Sequence, residues 1–183
     1  MSHKEEHIDT LLQQCLEGKQ QAQLAVYNLY HKAMYNTSLR IVKNGDAAED
    51  VMQESFLKAF TKLHTFKGEV TFGAWLKRIV INNSIQHYRK QQKMNEVALD
   101  EVLYKVEDNE AGVPDHAFTE LKAQKVMETM ARLKDNYRIS LTLHLVEGYD
   151  YAEVCRIMNI SYANCRTTIS RAKDSLRKKM MAV

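Results

Sequence analysis

From Tyr162 to Lys173 the chain carries Tyr162, Asn164, Arg166, Thr167, Ser170, Arg171 and Lys173. Arg and Asn pair with base edges in a duplex groove, hydroxyls reach bases or sugars, and Lys and Arg neutralise phosphates. The chemistry offered is duplex reading. A second polar set lies behind Trp75: Arg78, Asn82, Gln86, Arg89 and Lys90 recur near one face of a helix, with Asn83 and Tyr88 beside them. That set suits a phosphate backbone and unpaired bases, with aromatic rings available for stacking. A third set, Glu49, Asp50, Gln53 and Glu54, is acidic and repels DNA. It suits either a basic protein surface or simple solvation at a helix N-terminus, where acids offset the dipole.

Bond-making chemistry finds little support. Glu49, Asp50 and Glu54 are the carboxylates best spaced for a divalent ion, but no other ligand set accompanies them. His31, His64 and His87 are scattered, and no GxxxxGK phosphate loop occurs. Cys15, Cys155 and Cys165 form no CxxC pair and sit in apolar helical registers, which reads as buried thiols. The expectation is a protein with no catalytic residue, no metal site and no cofactor.

The elements that must position these sets are helical. Six Gly and one Pro among 183 residues leave few turn signals, and Leu, Ala, Lys, Gln and Met are frequent. The fold class expected is all-α, with two small helical domains joined by an acidic linker. Helices are expected from Ile8 to Gly18, from Gln21 to Val42 with Leu24, Tyr27, Leu29, Tyr30, Met34, Leu39 and Ile41 as its apolar stripe, and from Asp46 to Leu63. Asp46 reads as the N-cap of that third helix, with Glu49 as capping-box partner. A loop follows over 64–70, and a helix opened by Thr71 runs to about Gln92. Residues 95–117 hold the only Pro and a dense run of acids, and they mark the linker between domains at 1–94 and 118–183.

The second domain begins with helices over 118–133 and 138–147. Asp150, with Glu153 three residues on, caps the next helix, in which Ala152, Val154, Cys155, Ile157 and Met158 are the packing positions. Asn159 stands where the chain must turn left-handed, Ser161 caps the following helix, and Ile169, Ala172 and Leu176 pack it. This is the spacing of a helix-turn-helix with a basic second helix. Charge follows the same division. Residues 77–93 hold five Lys or Arg and no acid, 96–120 hold eight acids against one Lys, and 166–179 hold six basic residues against Asp174. No run approaches ~18 uninterrupted apolar residues, so no direct membrane insertion is expected and the reading is cytoplasmic.

These blocks, in this order, resemble the bacterial RNA polymerase sigma factors of the sigma-70 family, extracytoplasmic-function class. The N-terminal likeness is DAAEDVMQESFLKAF at 46–60 and TFKGEVTFGAWLKRIVINNSIQHYRK at 65–90, and the C-terminal likeness runs from Leu145 to Met180. The resemblance implies a two-domain initiation factor with no catalysis of its own. It implies docking on core RNA polymerase, at its beta and beta-prime subunits, through Glu49, Asp50, Gln53 and Glu54. It implies capture of the melted −10 element by Phe66, Lys67, Gly68, Trp75, Arg78, Asn82, Gln86, Arg89 and Lys90. It also implies reading of the −35 duplex by Tyr162, Asn164, Arg166, Thr167, Ser170, Arg171 and Lys173. Partners implied are core polymerase, promoter DNA and an anti-sigma factor. The linker would thread toward the polymerase active-site channel. The usual recognition-helix opening Gly-Thr-Val-Lys-Ser-Arg is replaced by Ala163 to Thr168, and an acid common in the Trp helix is replaced by Gln86. The alternative is a stand-alone helix-turn-helix regulator, which would not need the acidic N-terminal face.

Overall fold

The computed structural model describes residues 3–98 and 118–181, with side-chain surroundings for 7–94 and 123–181. The described residues are helical throughout, and the chain divides into two compact units, Met1–Lys90 and Gln91–Val183. The expected linker lies mostly outside the described residues.

The first unit holds α1 at His3–Leu16, α2 at Gln20–Val42, α3 at Gly45–Thr61, a 3-10 turn at Leu63–Thr65 and most of α4, which spans Phe72–Ala98 and so runs past the boundary at Lys90. Leu12, Val26, Met34, Met52, Phe56, Leu63, Phe72, Leu76 and Val80 form its core. The stripe of α2 is narrower than its apolar residues suggested. Leu24 and Leu29 are exposed, whereas Ala22, Val26, Thr37 and Ser38 are buried with Met34 and Ile41. A helix cannot bury leucines five residues apart on one face, because they stand about 140° from each other. The inner side is held instead by Ala22 and Val26, by Met34 and Ser38, and by Thr37 and Ile41, each pair four residues apart.

The start of α3 also differs from expectation. Lys43 takes the left-handed conformation that ends α2, with φ 61°, and Asn44 becomes the N-cap, accepting from Ala47 N at 2.8 Å. Asp46 therefore lies inside the first turn, where its charge offsets the dipole. Glu49 is released from any capping role and accepts from Gln53 Nε2 at 3.1 Å. Thr71 does open α4, its Oγ1 accepting from Ala74 N at 3.3 Å. That helix then continues past the expected end near Gln92, to Ala98.

In the second unit, α5 spans Phe118–Ala131, α6 Asp135–Leu141, α7 Tyr151–Met158 and α8 Tyr162–Met181. The helix expected over 138–147 is an α-segment that widens into a π-turn at Thr142–Val146. There Glu147 N–H reaches back five residues to Thr142 O, at 3.0 Å. Gly148, at φ 80°, ends it. Leu141, Leu143, Val154, Cys165, Ile169 and Ala172 are fully buried and form the core of the unit. Of the positions expected to pack, Val154 is fully buried, whereas Ala152 is exposed.

The turn of the helix-turn-helix is built as its residues dictate. Asp150 accepts from Glu153 N at 2.8 Å, and Glu153 Oε2 accepts from Asp150 N at 3.0 Å, a complete capping box. Asn159 is left-handed, with φ 50°, and Ser161 Oγ accepts from Asn164 N at 3.3 Å. Asp150→Ala is expected to destabilise this unit by about 1 kcal/mol, because Glu153 N–H loses its acceptor. Urea unfolding followed at the helix-turn-helix measures it, and an unchanged midpoint would refute the capping role.

Candidate nucleic-acid interface

Burial along α8 alternates with the period of a helix. Cys165, Ile169, Ala172 and Leu176 point inward. Tyr162, Asn164, Arg166, Thr167, Ser170 and Arg171 are exposed, and Lys173 is half-buried. The unit thus presents a row of exposed polar and basic side chains along α8. Thr167 Oγ1 donates to Ala163 O at 2.9 Å, which orients its lone pairs outward as an acceptor. Tyr162 meets Tyr151 edge-on at 6.4 Å, which fixes a ring at the leading end of the row. Behind the row, Cys165 Sγ contacts Tyr151 O at 3.6 Å. Burial, and then the neighbouring Cys155 thiol, push the Cys165 thiol up to about 11, so it is a neutral packing group. Cys15 is likewise raised by burial.

On the first unit, Arg78, Asn82, Gln86, Arg89 and Lys90 are all exposed along α4. At the N-terminal end of this row stands an aromatic cluster. Phe66, Phe72 and Trp75 lie 5.4–5.8 Å apart, and Tyr30 meets Phe72 at 5.5 Å. Phe66 and Trp75 are half-buried in this cluster, while Lys67 and Gly68 stand clear of it in the loop, Gly68 with φ 72°. Phe66 therefore anchors the loop, and the exposed Lys67 and Gly68 form its outer part. Gly73 completes the platform: a Cβ there would lie 3.0 Å from Tyr30 Cε1.

The acidic set lies on α3, where Glu49, Asp50, Gln53 and Glu54 are exposed. Leu57, also exposed, extends the row by one turn. Glu54 pairs with Lys58 at 2.8 Å.

One assignment changes place. Asn83 is buried rather than beside Asn82 on the surface, and donates to Ser55 Oγ at 2.8 Å. Its spacing of seven from Leu76 and three from Val80 already placed it on the inner side. Lys58, which donates to Asn83 Oδ1 at 3.1 Å, escaped notice because it reads as an ordinary helix cation. Among the described residues no group of three His, Cys, Asp or Glu is arranged to hold a metal ion.

Comparison with known proteins meets this geometry. The family model of sigma-70 region 2 matches residues 26–94, and that of sigma-70 region 4 matches residues 123–176. The ECF RNA polymerase sigma factor SigM of Bacillus subtilis is 31% identical over 152 residues, covering 83% of this chain and 91% of that protein. The ECF RNA polymerase sigma-E factor of Escherichia coli K12 is 30% identical over 179 residues, covering 93% and 92%. In fold, the chain resembles the sigma factor RpoE solved with the anti-sigma factor NepR from Bartonella quintana, with TM-score 0.59 and 20% identity over 86% of this chain and 95% of that one. It also resembles CnrH solved with the cytosolic domain of CnrY, with TM-score 0.54 and 21% identity over 94% and 96%. The chain belongs to the ECF sigma factors of the sigma-70 family, and so is not an enzyme in itself but a factor that binds core RNA polymerase and directs promoter recognition.

Proposed function

We propose that residues 1–94 dock on the beta and beta-prime subunits of core polymerase and capture the melted −10 element. Residues 95–117 then serve as the acidic linker, and residues 118–183 read the −35 duplex. Glu49, Asp50, Gln53 and Glu54 face polymerase. Lys67, Gly68 and the open side of Trp75, on a loop held by Phe66, receive an unpaired base. Arg78, Asn82, Gln86, Arg89 and Lys90 follow the separated strand. Tyr162, Asn164, Arg166, Thr167, Ser170, Arg171 and Lys173 meet the duplex.

The observation that carries this reading is the row on α8, exposed from Tyr162 to Arg171 over a fully buried seam of Cys165, Ile169 and Ala172. A groove-reading helix needs that division. Opening a promoter needs one surface to hold duplex and another to compensate unstacking, which costs a few kcal/mol for each extruded base. The two basic rows supply both.

An anti-sigma protein is proposed as the controlling partner, covering the surfaces that polymerase and DNA would take. One protein that shares this fold was solved with an anti-sigma factor. No helix among the described residues is long and apolar enough to cross a membrane. Work beside polymerase and chromosome places the protein in the cytoplasm.

Reconstituted transcription with core polymerase on a library of −35 variants tests the reading. Arg166→Ala is expected to cost about 1–3 kcal/mol at one base position and to relax specificity there. Lys173→Ala should weaken all sequences evenly and lower the salt slope by about one. If Arg166→Ala lowered every promoter equally, base reading by that residue would be refuted.

A further inference from the structure

Between the polymerase-facing and strand-facing surfaces of the first unit runs a chain of polar side chains that neither surface requires. Asn83 is 8% exposed, one residue from the outward Asn82. Its amide nitrogen donates to Ser55 Oγ at 2.8 Å, and its oxygen accepts from Lys58 Nζ at 3.1 Å. Ser55 Oγ donates to Val51 O at 2.6 Å, and Lys58 Nζ pairs with Glu54 at 2.8 Å. Four side chains therefore connect an exposed carboxylate on α3 to the inner side of α4.

We propose that Asn83 and Lys58 are positioning residues for promoter opening, holding the strand-facing row of α4 in register with the polymerase-facing row of α3. The inference rests on the assignment of those two rows made above. A buried amide satisfied at both ends has one favourable placement, and a network with every member paired resists sliding of one helix past the other. Apolar side chains alone would allow such slippage at little loss, because their contacts carry no direction.

The branching at Lys58 adds a second property. Its ammonium has two acceptors, one outward at Glu54 and one inward at Asn83. When a basic surface on polymerase engages Glu54, Lys58 keeps Asn83. Docking then does not strand an unpaired cation at the interface, and the inner tie persists. Without Asn83, Lys58 has only Glu54 and competes with polymerase for it, while Ser55 loses its donor. Asn82 and Gln86, on the outer side of the same two turns, then lose their fixed alignment. A site needs its contact groups held within about 0.5 Å, so modest slippage is enough to impair strand capture.

The test uses the full-length protein with core polymerase. Asn83→Leu keeps the branching at Cγ and removes both hydrogen bonds. Asn83→Asp keeps an acceptor for Lys58, and accepts from Ser55 only if its single hydroxyl proton turns from Val51 O. Lys58→Met keeps the stem and removes the ammonium, and it serves if Asn83→Leu fails to fold. Three quantities are read: binding to core, transcription from a duplex promoter, and transcription from the same promoter with mismatched, already separated bases at the −10 element.

Asn83→Leu and Lys58→Met are expected to bind core within about threefold of the unaltered protein and to lose roughly tenfold in transcription from duplex. Most of that activity should return on the pre-opened template, where capture no longer has to offset unstacking. Asn83→Asp should restore most duplex activity. Combining Glu54→Gln with Asn83→Leu should give less than the product of the separate effects, because the two residues share Lys58. Wild-type opening of duplex by Asn83→Leu and Lys58→Met would overturn the proposal. So would a parallel loss of core binding and of activity on both templates together with a lower melting temperature, which would make the network merely structural. Failure of the unaltered protein to bind core would overturn the docking assignment, and this inference with it.

Discussion

Changing Glu49, Asp50 and Glu54 together to lysine is expected to weaken binding to core RNA polymerase by about 100-fold or more. Each exposed ion pair contributes only ~0.2–1 kcal/mol, but reversal removes an attraction and adds a repulsion at three adjacent points, and close interfacial charge pairs reach ~1.5 kcal/mol and above. The three side chains are exposed on α3 and take no part in the core, so the fold tolerates the change. Glu54→Lys also breaks the pair with Lys58 and sets two ammonium groups on successive turns, a local penalty of a few tenths of a kcal/mol. The melting temperature should therefore barely move while affinity collapses. Titration of the protein into labelled, sigma-free core polymerase measures the effect at two salt concentrations. The unaltered protein should bind 1:1 and weaken as salt screens the pairs, and the variant should show little such dependence. Equal binding by both would remove the acidic row of α3 from the docking surface.

Ile169→Ala is the second large effect. Ile169 is fully buried on the inner side of α8, in the core that also holds Cys165, Ala172 and Val154. Truncation of a buried Ile costs about 2–5 kcal/mol, part lost transfer free energy and part cavity. A unit this small has little stability to lose, because short chains bury a smaller fraction of their surface. The helix-turn-helix is expected to be largely unfolded at 37 °C, with −35 recognition lost. Unit 1 has its own core, so core binding should persist. Hydrogen exchange measures both at once: amides of α7 and α8 should lose protection while those of α2 and α3 keep it. Retained protection in α8 would show that the seam closes around the missing atoms.

How much of this was legible in the sequence depended on whether local rules decided the outcome. The turn from Asp150 to Ser161 was fully readable, because capping box, left-handed Asn159 and Ser161 cap each act through neighbours two or three residues away. The seam of α8 was readable from spacing alone. The start of α3 was misread because Asn44 and Asp46 are both good caps, and the choice fell to Lys43, a residue with no turn signature that nonetheless ends α2 left-handed. Leu24 and Leu29 are apolar but lie off the buried side of α2, so apolarity without angle misplaces them. The π-turn at Thr142–Val146 has no sequence mark; Leu141 and Leu143 at its start are fully buried. Among the site residues, the exposed rows were predictable from periodicity. The burial of Asn83 follows from that same periodicity, but its hydrogen bond to Ser55, 28 residues away, does not, and neither does the packing of Phe66 on Trp75.

The aromatic cluster at the start of α4 has an optical consequence. Trp75 is the only tryptophan in the chain, and it stands half-buried against Phe66 and Phe72 at the base of the proposed base-capturing loop. Emission excited selectively in tryptophan therefore comes from one ring, placed where an unstacked base would arrive. A base laid against that ring would quench it, and a loop pulled away would expose it to water and shift the emission to the red. The unlabelled factor thus carries its own stopwatch for strand capture, readable in a stopped-flow mixing cell whenever the polymerase background is subtracted.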